Sequence, residues 1–515
     1  MREIELKISL DAAQERQLRA SRDLMALSDG AERAHSLWSV YYDTEDHALR
    51  RDGIALRLRR QGRSWVQTLK IVDSEMINGL SQPEEIEYAV AGQTIDLTRI
   101  PDHDLREHVM GLARPGLKPV AETRFRRTRR VLKLPECGAS VELAIDKGKV
   151  GSGARSEPFI EAEIELIEGA PAALYDVAKR IFPKGPVRFS VQSKSERALA
   201  LTVPEIAPPS VRKARPVDLS QVQSVEQAAI AIFSEGIAHA APNIAALLES
   251  NEISGPHQTR VALRRLRSAM SAFRTVLGRR ALEDLARSAQ VLAAQAGRIR
   301  DLDVLADQIV AHEAKAHPNE PGFDCLAHAT RAQRDVVRLE VRSTLIDANL
   351  TAFPLDMAGF IAGRGWVDGA DHGQTKRLAQ PLRPYARKVL DKRWKSVSAW
   401  GARIDELSID ERHEMRKEVK KLRYLLDAFR SLFDPERVAK FNRHVKRLQK
   451  AFGALNDSAM AEALLLAPDA PGRDDPAAQR AAGRIIGRLL SESDRLWPGA
   501  IDDWRALSAF GPCWR

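Results

Sequence analysis

The period of the apolar pattern changes once along this chain, and the change falls at a proline-rich stretch. Up to residue 203, short runs alternate apolar with charged or polar residues: EIELKISL, SLWSVYYDT, IALRLRRQ, WVQTLKIV, EEIEYAV, ETRFRRTRRVLKL, ASVELAIDKGKV and FIEAEIELIEG. A period of two reads as strands, and turn residues such as Gly53, Gly62 and Gly79 stand near their ends. Asp11 with Gln14 reads as a helix-capping pair, and Pro171 suits a first helical turn. Residues 204–220 hold four prolines and little periodicity, the composition of a linker. Beyond them, Ala, Leu, Arg and Glu recur at helical spacing, as in QTRVALRRLRSAMSAFRTVL and EMRKEVKKLRYLLDAFRSLF. The expected fold class is α+β: over residues 1–203, eight antiparallel strands with flanking helices, able to close into a barrel; over 221–515, an all-α bundle.

The helical part contains a repeat. His257, Arg260, Arg264, Arg265, Leu266 and Arg267 recur as His413, Arg416, Lys420, Lys421, Leu422 and Arg423, and the same shift carries Asp301 onto Asp457. Two halves related by a pseudo-twofold axis follow from that register. Charge divides along the same boundary. Residues 1–203 hold about 32 Lys and Arg against 31 Asp and Glu, so nearly all of the net +10 lies beyond them. A basic helical domain suits a polyanion, whether nucleic acid, polyphosphate or an anionic membrane.

Some classes are disfavoured. No apolar run is expected to reach the roughly 20 residues of a membrane helix, and the first residues are charged, unlike a secretory signal, so a cytoplasmic location is expected. Cys137, Cys325 and Cys513 lie far apart without a CxxC or Cys/His pattern, which reads as free thiols.

In EIELK, strand alternation points Glu3, Glu5 and Lys7 one way and Ile4, Leu6 and Ile8 the other. Alone, this describes an edge strand with one wet face. Other strands are also single-signed: Arg57 with Arg59, Arg124 with Arg126, Glu85 with Glu87, Glu142 with Asp146, and Glu161 with Glu163 and Glu165. Like charges crowded on a strand face are destabilising. The pattern makes sense if acids and bases converge inside a barrel on a ligand carrying both signs, such as a polyphosphate with a divalent metal: carboxylates hold the metal and Arg and Lys hold phosphate.

EIELK, with YYDT at 41–44, LRLR at 56–59, TLK at 68–70, EEIE at 84–87, TRFRR, VELAIDKG and EIEL in order, resembles the CYTH superfamily of triphosphate tunnel metalloenzymes across residues 1–203. The resemblance implies an eight-stranded tunnel for a linear triphosphate with Mg²⁺ or Mn²⁺. It implies Glu3, Glu5, Glu163 and Glu165 as metal ligands, with Glu161, Asp146, Glu85 and Glu87 as further acids of the channel. Lys7, Arg57, Arg59, Lys70, Arg124, Arg126 and Lys194 would hold phosphate.

His257, Arg260, Arg264 and Arg267 are spaced to share one helical face, and His413, Arg416, Lys420 and Arg423 repeat it. HQTRVALRRLRSAMSAF and RIRDLDVL resemble the CHAD domain over about residues 221–515, which implies a two-half helical bundle binding inorganic polyphosphate through these eight residues. Together the resemblances imply an inorganic triphosphatase with long-chain polyphosphate as partner, cytoplasmic or at polyphosphate granules, with no membrane or specific nucleic acid bound. Thiamine triphosphatase, class IV adenylate cyclase and a non-catalytic polyphosphate binder are the alternatives.

Overall fold

All eight alternating runs form strands in the computed structural model, which describes residues 4–62, 64–71, 79–81, 84–182, 184–207 and 211–515. They are β1 (Glu5–Ser9), β2 (Ser28–Asp43), β3 (Ile54–Gln61), β4 (Ser64–Ile71), β6 (Glu84–Val90), β7 (Lys118–Leu134), β8 (Ala139–Ser152) and β9 (Arg155–Glu168). Two strands of two residues each, β5 (Leu80–Ser81) and β10 (Arg188–Phe189), join them. Neighbours pair in the order β10-β1-β9-β8-β7-β2-β3-β4-β6. β5 pairs with β1, although β6 at the far edge follows it in sequence after only residues 82 and 83. The sheet therefore curls until its ends approach. Gly79 marks that approach: it has a φ of +79°, and a Cβ there would lie 2.7 Å from the Lys7 carbonyl oxygen.

Three helices of this part matter for the site: α1 (Ala12–Arg19), α2 (Ala172–Ile181) and α3 (Lys194–Leu199). The Asp11–Gln14 capping box starts α1. α2 packs over β1, β8 and β9 and buries Leu174, Val177, Ala178 and Ile181. Leu6 and Ile8 are buried on the opposite side of β1 from Glu5 and Lys7, so β1 has no wet face.

The first compact unit comprises residues 1–210 together with 351–365; the second comprises 211–350 and 366–515. The second contains α4 (Val225–Glu249), α5 (Ser254–Phe273), α6 (Arg279–Asp303) and α7 (Pro321–Asp347). After α8 (Phe353–Ala362) it continues with α9 (Leu382–Gly401), α10 (Ile409–Phe429), α11 (Pro435–Leu465) and α12 (Pro476–Phe510). α5 and α10 carry the two copies of the repeat and pack against each other.

α4 is long and apolar, with a mean hydropathy of 1.2 over an 18-residue window. It serves as a core helix: Ala228, Phe233, Ile237 and Ala240 are fully buried within the unit.

α8 belongs to the first unit, where it packs on α2. Its sequence FPLDMAGFIA buries Phe353, Leu355, Met357 and Ala358, and a Cβ on Gly359 would stand 3.1 Å from Tyr175 Cβ. Gly359→Leu should cost about 1–3 kcal/mol by overpacking this contact. The denaturant midpoint of the first unit reads it, and an unchanged midpoint would mean that α8 does not pack on α2.

Candidate functional site

Directly opposite residues of an antiparallel ladder share a face. The register therefore carries one face around the sheet. Glu5 stands opposite Glu165, Lys7 opposite Glu163, Glu161 opposite Asp146, and Asp146 opposite Arg127. On the other side, Arg57 stands opposite Tyr41 and Thr68, Arg59 opposite Ser39, and Lys70 opposite Glu85. Lys70 on β4 and Glu5 on β1 are six places apart in the strand order, yet Lys70 Nζ lies 3.7 Å from Glu5 Oε1. Only the curl brings them together, so this shared face is the concave one.

The charges on that face form one network. Lys7 Nζ is 2.8 Å from Glu5 and 3.4 Å from Glu163. Lys70 pairs with Glu85 at 2.7 Å, and Arg57 lies 3.2 Å from Glu87 and 3.8 Å from Glu85. Lys194 begins α3, where the Ser193–Glu196 capping box fixes the helix start. From there its Nζ lies 2.6 Å from Glu163 and 3.0 Å from Asp146, and it also pairs with Glu161. Arg127 donates two 2.6 Å bonds to Asp146 and a third to Glu163. Asp146 is 0 % exposed, so its charge is tolerable only because Arg127 and Lys194 hold it.

Burial alone would strip the Lys7 proton, but Glu163, Glu5 and Glu161 outweigh it and hold the ammonium well above the usual lysine range. For Glu163 burial favours the neutral acid, and Arg127, Lys194 and Lys7 overturn that, holding the carboxyl well below its usual range. Arg59 differs. It donates to Ser39 Oγ at 3.1 Å, and among the described residues no carboxylate forms an ion pair with it. Burial, and then neighbouring Arg57, bring its guanidinium down to about 10. Tyr41 faces the same pair: burial raises its phenol, but Arg57 and Arg59 more than reverse this and lower it.

The expected residues thus fall into three groups. Glu5, Lys7, Arg57, Arg59, Lys70, Glu85, Glu87, Asp146, Glu161, Glu163, Glu165 and Lys194 share the concave face. Glu3 lies outside the described residues. Arg124 and Arg126 are exposed on the convex face, where Arg124 covers the Trp38 ring at 4.8 Å, and Arg127 takes the inward place instead. This corrects the parity expected for β7. Leu132 and Leu134 carried the signal: they are the buried outer residues of β7, and a period of two puts Arg126 and Arg124 on their side.

Among the described residues, no three acids already surround a point that could hold a metal ion. Lys7, Lys194 and Arg127 occupy them. The donor chemistry still fits a hard divalent cation, since Glu5, Glu163 and Glu165 offer only carboxylate oxygens from two paired strands. Glu5 Oε1 is buried and makes no aligned hydrogen bond, although Lys7 stands 2.8 Å away.

The second unit gathers a different cluster. α5 and α10 bring Arg260, Arg264, Arg416, Lys420 and Arg423 within electrostatic reach of one another, and His257 feels Arg300 of α6 as well. Arg260 pairs with Asp301 at 2.6 Å, Arg267 donates to Gln290 at 2.9 Å, and Arg423 bonds Gln449. Among the described residues Arg264, Arg300, Arg416 and Lys420 have no hydrogen bond or ion pair to an acid. Burial, then Arg264 and Arg260, lower Arg416 to about 10. Arg260, Arg264, Arg267, Arg298, Gln290 and Asp301 line a cavity of about 450 Å³. His413 stands apart, bonded to the Ile409 carbonyl of its own helix. Arg300 belongs to the cluster but not to either repeated stripe, which is why spacing on α5 and α10 did not reveal it.

Residues 1–199 match the family model described as CYTH domain, and residues 231–466 match the one described as CHAD domain. A curated relative, the inorganic triphosphatase of Haemophilus influenzae, is 28% identical over 166 residues, which are 32% of this chain and 46% of that protein. The match thus spans less than half of the relative. Among solved structures, the CHAD domain of the plant Ricinus communis aligns with a TM-score of 0.50 and 22% identity, covering 59% of this chain and 98% of that one. A protein from Hippeastrum, described as a putative adenylyl cyclase revealing a dominant triphosphatase activity, aligns with a TM-score of 0.28 and 21% identity, covering 40% of this chain and 98% of that one.

Proposed function

Because this chain joins a CYTH domain to a CHAD domain, we propose that it is a metal-dependent inorganic triphosphatase that hydrolyses tripolyphosphate to pyrophosphate and phosphate and holds long polyphosphate on its helical part. The observation that carries the reading is the concave face. On it the carboxylates Glu5, Glu85, Glu87, Asp146, Glu161, Glu163 and Glu165 stand among the cations Lys7, Arg57, Arg59, Lys70, Arg127 and Lys194. A bare polyanion would unbalance such a face, whereas a phosphate chain accompanied by divalent cations keeps it close to neutral.

In this reading Arg57, Arg59, Lys70 and Arg127 hold the phosphate oxygens. Arg59 does so without first giving up a carboxylate, and Lys7 and Lys194 exchange glutamate for phosphate as the chain enters. Glu5, Glu163 and Glu165, with Glu3 beyond the described residues, would hold Mg²⁺ or Mn²⁺, which supplies charge neutralisation at the phosphate oxygens. The fixed cations are placed to absorb charge that develops on the equatorial and leaving oxygens while water attacks in line. Neither a Ser/His/Asp nor a Cys/His nucleophile is required. Three thiols without a disulfide, two of them exposed, accord with a cytosolic enzyme, free or at polyphosphate granules.

Phosphate release from tripolyphosphate, thiamine triphosphate and ATP, with Mg²⁺ or Mn²⁺, tests the reading. Tripolyphosphate should be the preferred substrate, and Glu5→Ala should lower turnover by about 10²-fold or more. Preference for thiamine triphosphate or cyclisation of ATP would move the assignment within the superfamily. No turnover of any of the three would leave a binding protein.

A further inference from the structure

Lys420 is one of the cations of the helical cluster that form no ion pair among the described residues. Arg416, Lys420 and Arg423 share one face of α10, spaced by four and three residues. α5, packed on that helix, presents His257, Arg260 and Arg264. α11 contributes Asp457, the acid that faces Lys420, and α6 contributes Arg300. α9 also packs on α10, but its Arg393 lies 3.6 Å from Glu418. The neighbouring lysines of α10 are neutralised within their own turns, Lys417 by Glu414 at 2.7 Å and Lys421 by Glu418 at 2.6 Å. Lys420 has no hydrogen bond or ion pair among the described residues.

We propose that the cluster takes up a proton at Lys420 when a polyanion binds, so that affinity for polyphosphate falls as the pH rises above neutrality. This rests on reading the cluster as a polyanion site. The physical cause is like-charge crowding in a half-buried place. Burial first, and then Arg416, Arg264, Arg260 and Arg423, bring the Lys420 ammonium down to about 7. Phosphate oxygens favour the charged amine and raise that value in the complex. Below the free value the lysine is charged in both states, and affinity is flat with pH. Between the free and bound values binding draws in one proton, and affinity falls by up to about tenfold per pH unit. Above the bound value the dependence ends. His257 is also lowered, by burial and then Arg300, Arg260, Lys420 and Arg264, and the Lys420 variants separate its contribution from that of the lysine.

The test uses the full chain with EDTA and no added divalent metal, titrated calorimetrically at pH 8 with long-chain inorganic polyphosphate. That probe has interior phosphates with no proton to exchange. Two buffers of different ionisation enthalpy yield the number of protons taken up. Wild type should take up close to one proton per occupied site. Lys420→Arg should bind without this uptake and with a flat affinity from pH 7 to 9, and Lys420→Met should also lose it. Wild-type binding without proton uptake, or unchanged uptake in Lys420→Arg, overturns the proposal and leaves the polyanion site standing. Absence of binding at every pH overturns both.

Discussion

Arg127→Ala should lower tripolyphosphate turnover by about 10²- to 10³-fold, the scale of losing one positioned cation at a transition state. Arg124→Ala and Arg126→Ala should each leave it within about twofold, as for substitutions on an outer surface. All three arginines lie within four residues of one strand, so the contrast tests which face of β7 looks into the curl. Arg127 holds Asp146 and Glu163 together, and its removal leaves two buried carboxylates short of a partner. Breaking a buried pair in this way costs about 3–5 kcal/mol, so the alanine variant should also unfold at lower denaturant. Arg127→Lys separates the two effects. A lysine keeps the charge but cannot make two parallel bonds to one carboxylate, so stability should recover more than turnover. Loss of turnover in Arg124→Ala and Arg126→Ala, with turnover kept in Arg127→Ala, would return the site to the arrangement expected from sequence.

Replacing Arg264, Arg300, Arg416 and Lys420 together by Gln should weaken polyphosphate binding by at least about 100-fold, since charge-assisted hydrogen bonds are worth about 1.5–3 kcal/mol each. The same variant should melt at a higher temperature than wild type. These four side chains form no hydrogen bond or ion pair to an acid among the described residues, and in the free protein Arg264, Arg416 and Lys420 repel one another. A site that stores repulsion for its ligand gains stability when the charges are removed. A lower melting temperature would show that the cations support the fold, and unchanged binding would remove this face as the polyanion site. Raising salt should weaken wild-type binding more steeply than that of the variant, which has fewer ionic contacts to screen.

Much of the concave face was legible because strand alternation is local. Leu6 and Ile8 declare the outer side of β1, so Glu5 and Lys7 must look inward, and the same parity holds for Arg57 and Arg59, Glu85 and Glu87, and Glu161 and Glu163. β7 was misread because charge is a poor guide to parity where five arginines fall within seven residues, whereas Leu132 and Leu134 mark it correctly. The two-residue strands β5 and β10 are too short to show a period. On α8 the apolar residues announce burial but not the partner, and α2 lies more than 170 residues earlier in the chain.

Element type, the break in texture at residues 204–220, the repeat that aligns α5 with α10 and the inward parity of most strands were all determined by the sequence alone, because each depends on residues within a turn or a strand of one another. The tertiary structure decided that Lys70 meets Glu5, that Arg127 rather than Arg124 holds Asp146 and Glu163, and that among the described residues Lys420 forms no ion pair while Lys417 and Lys421 do. Those outcomes depend on curl, ladder register and helix packing, which bring residues far apart in the chain to within a few ångströms. The energy of a buried charge is set by those neighbours rather than by the residues next to it in sequence.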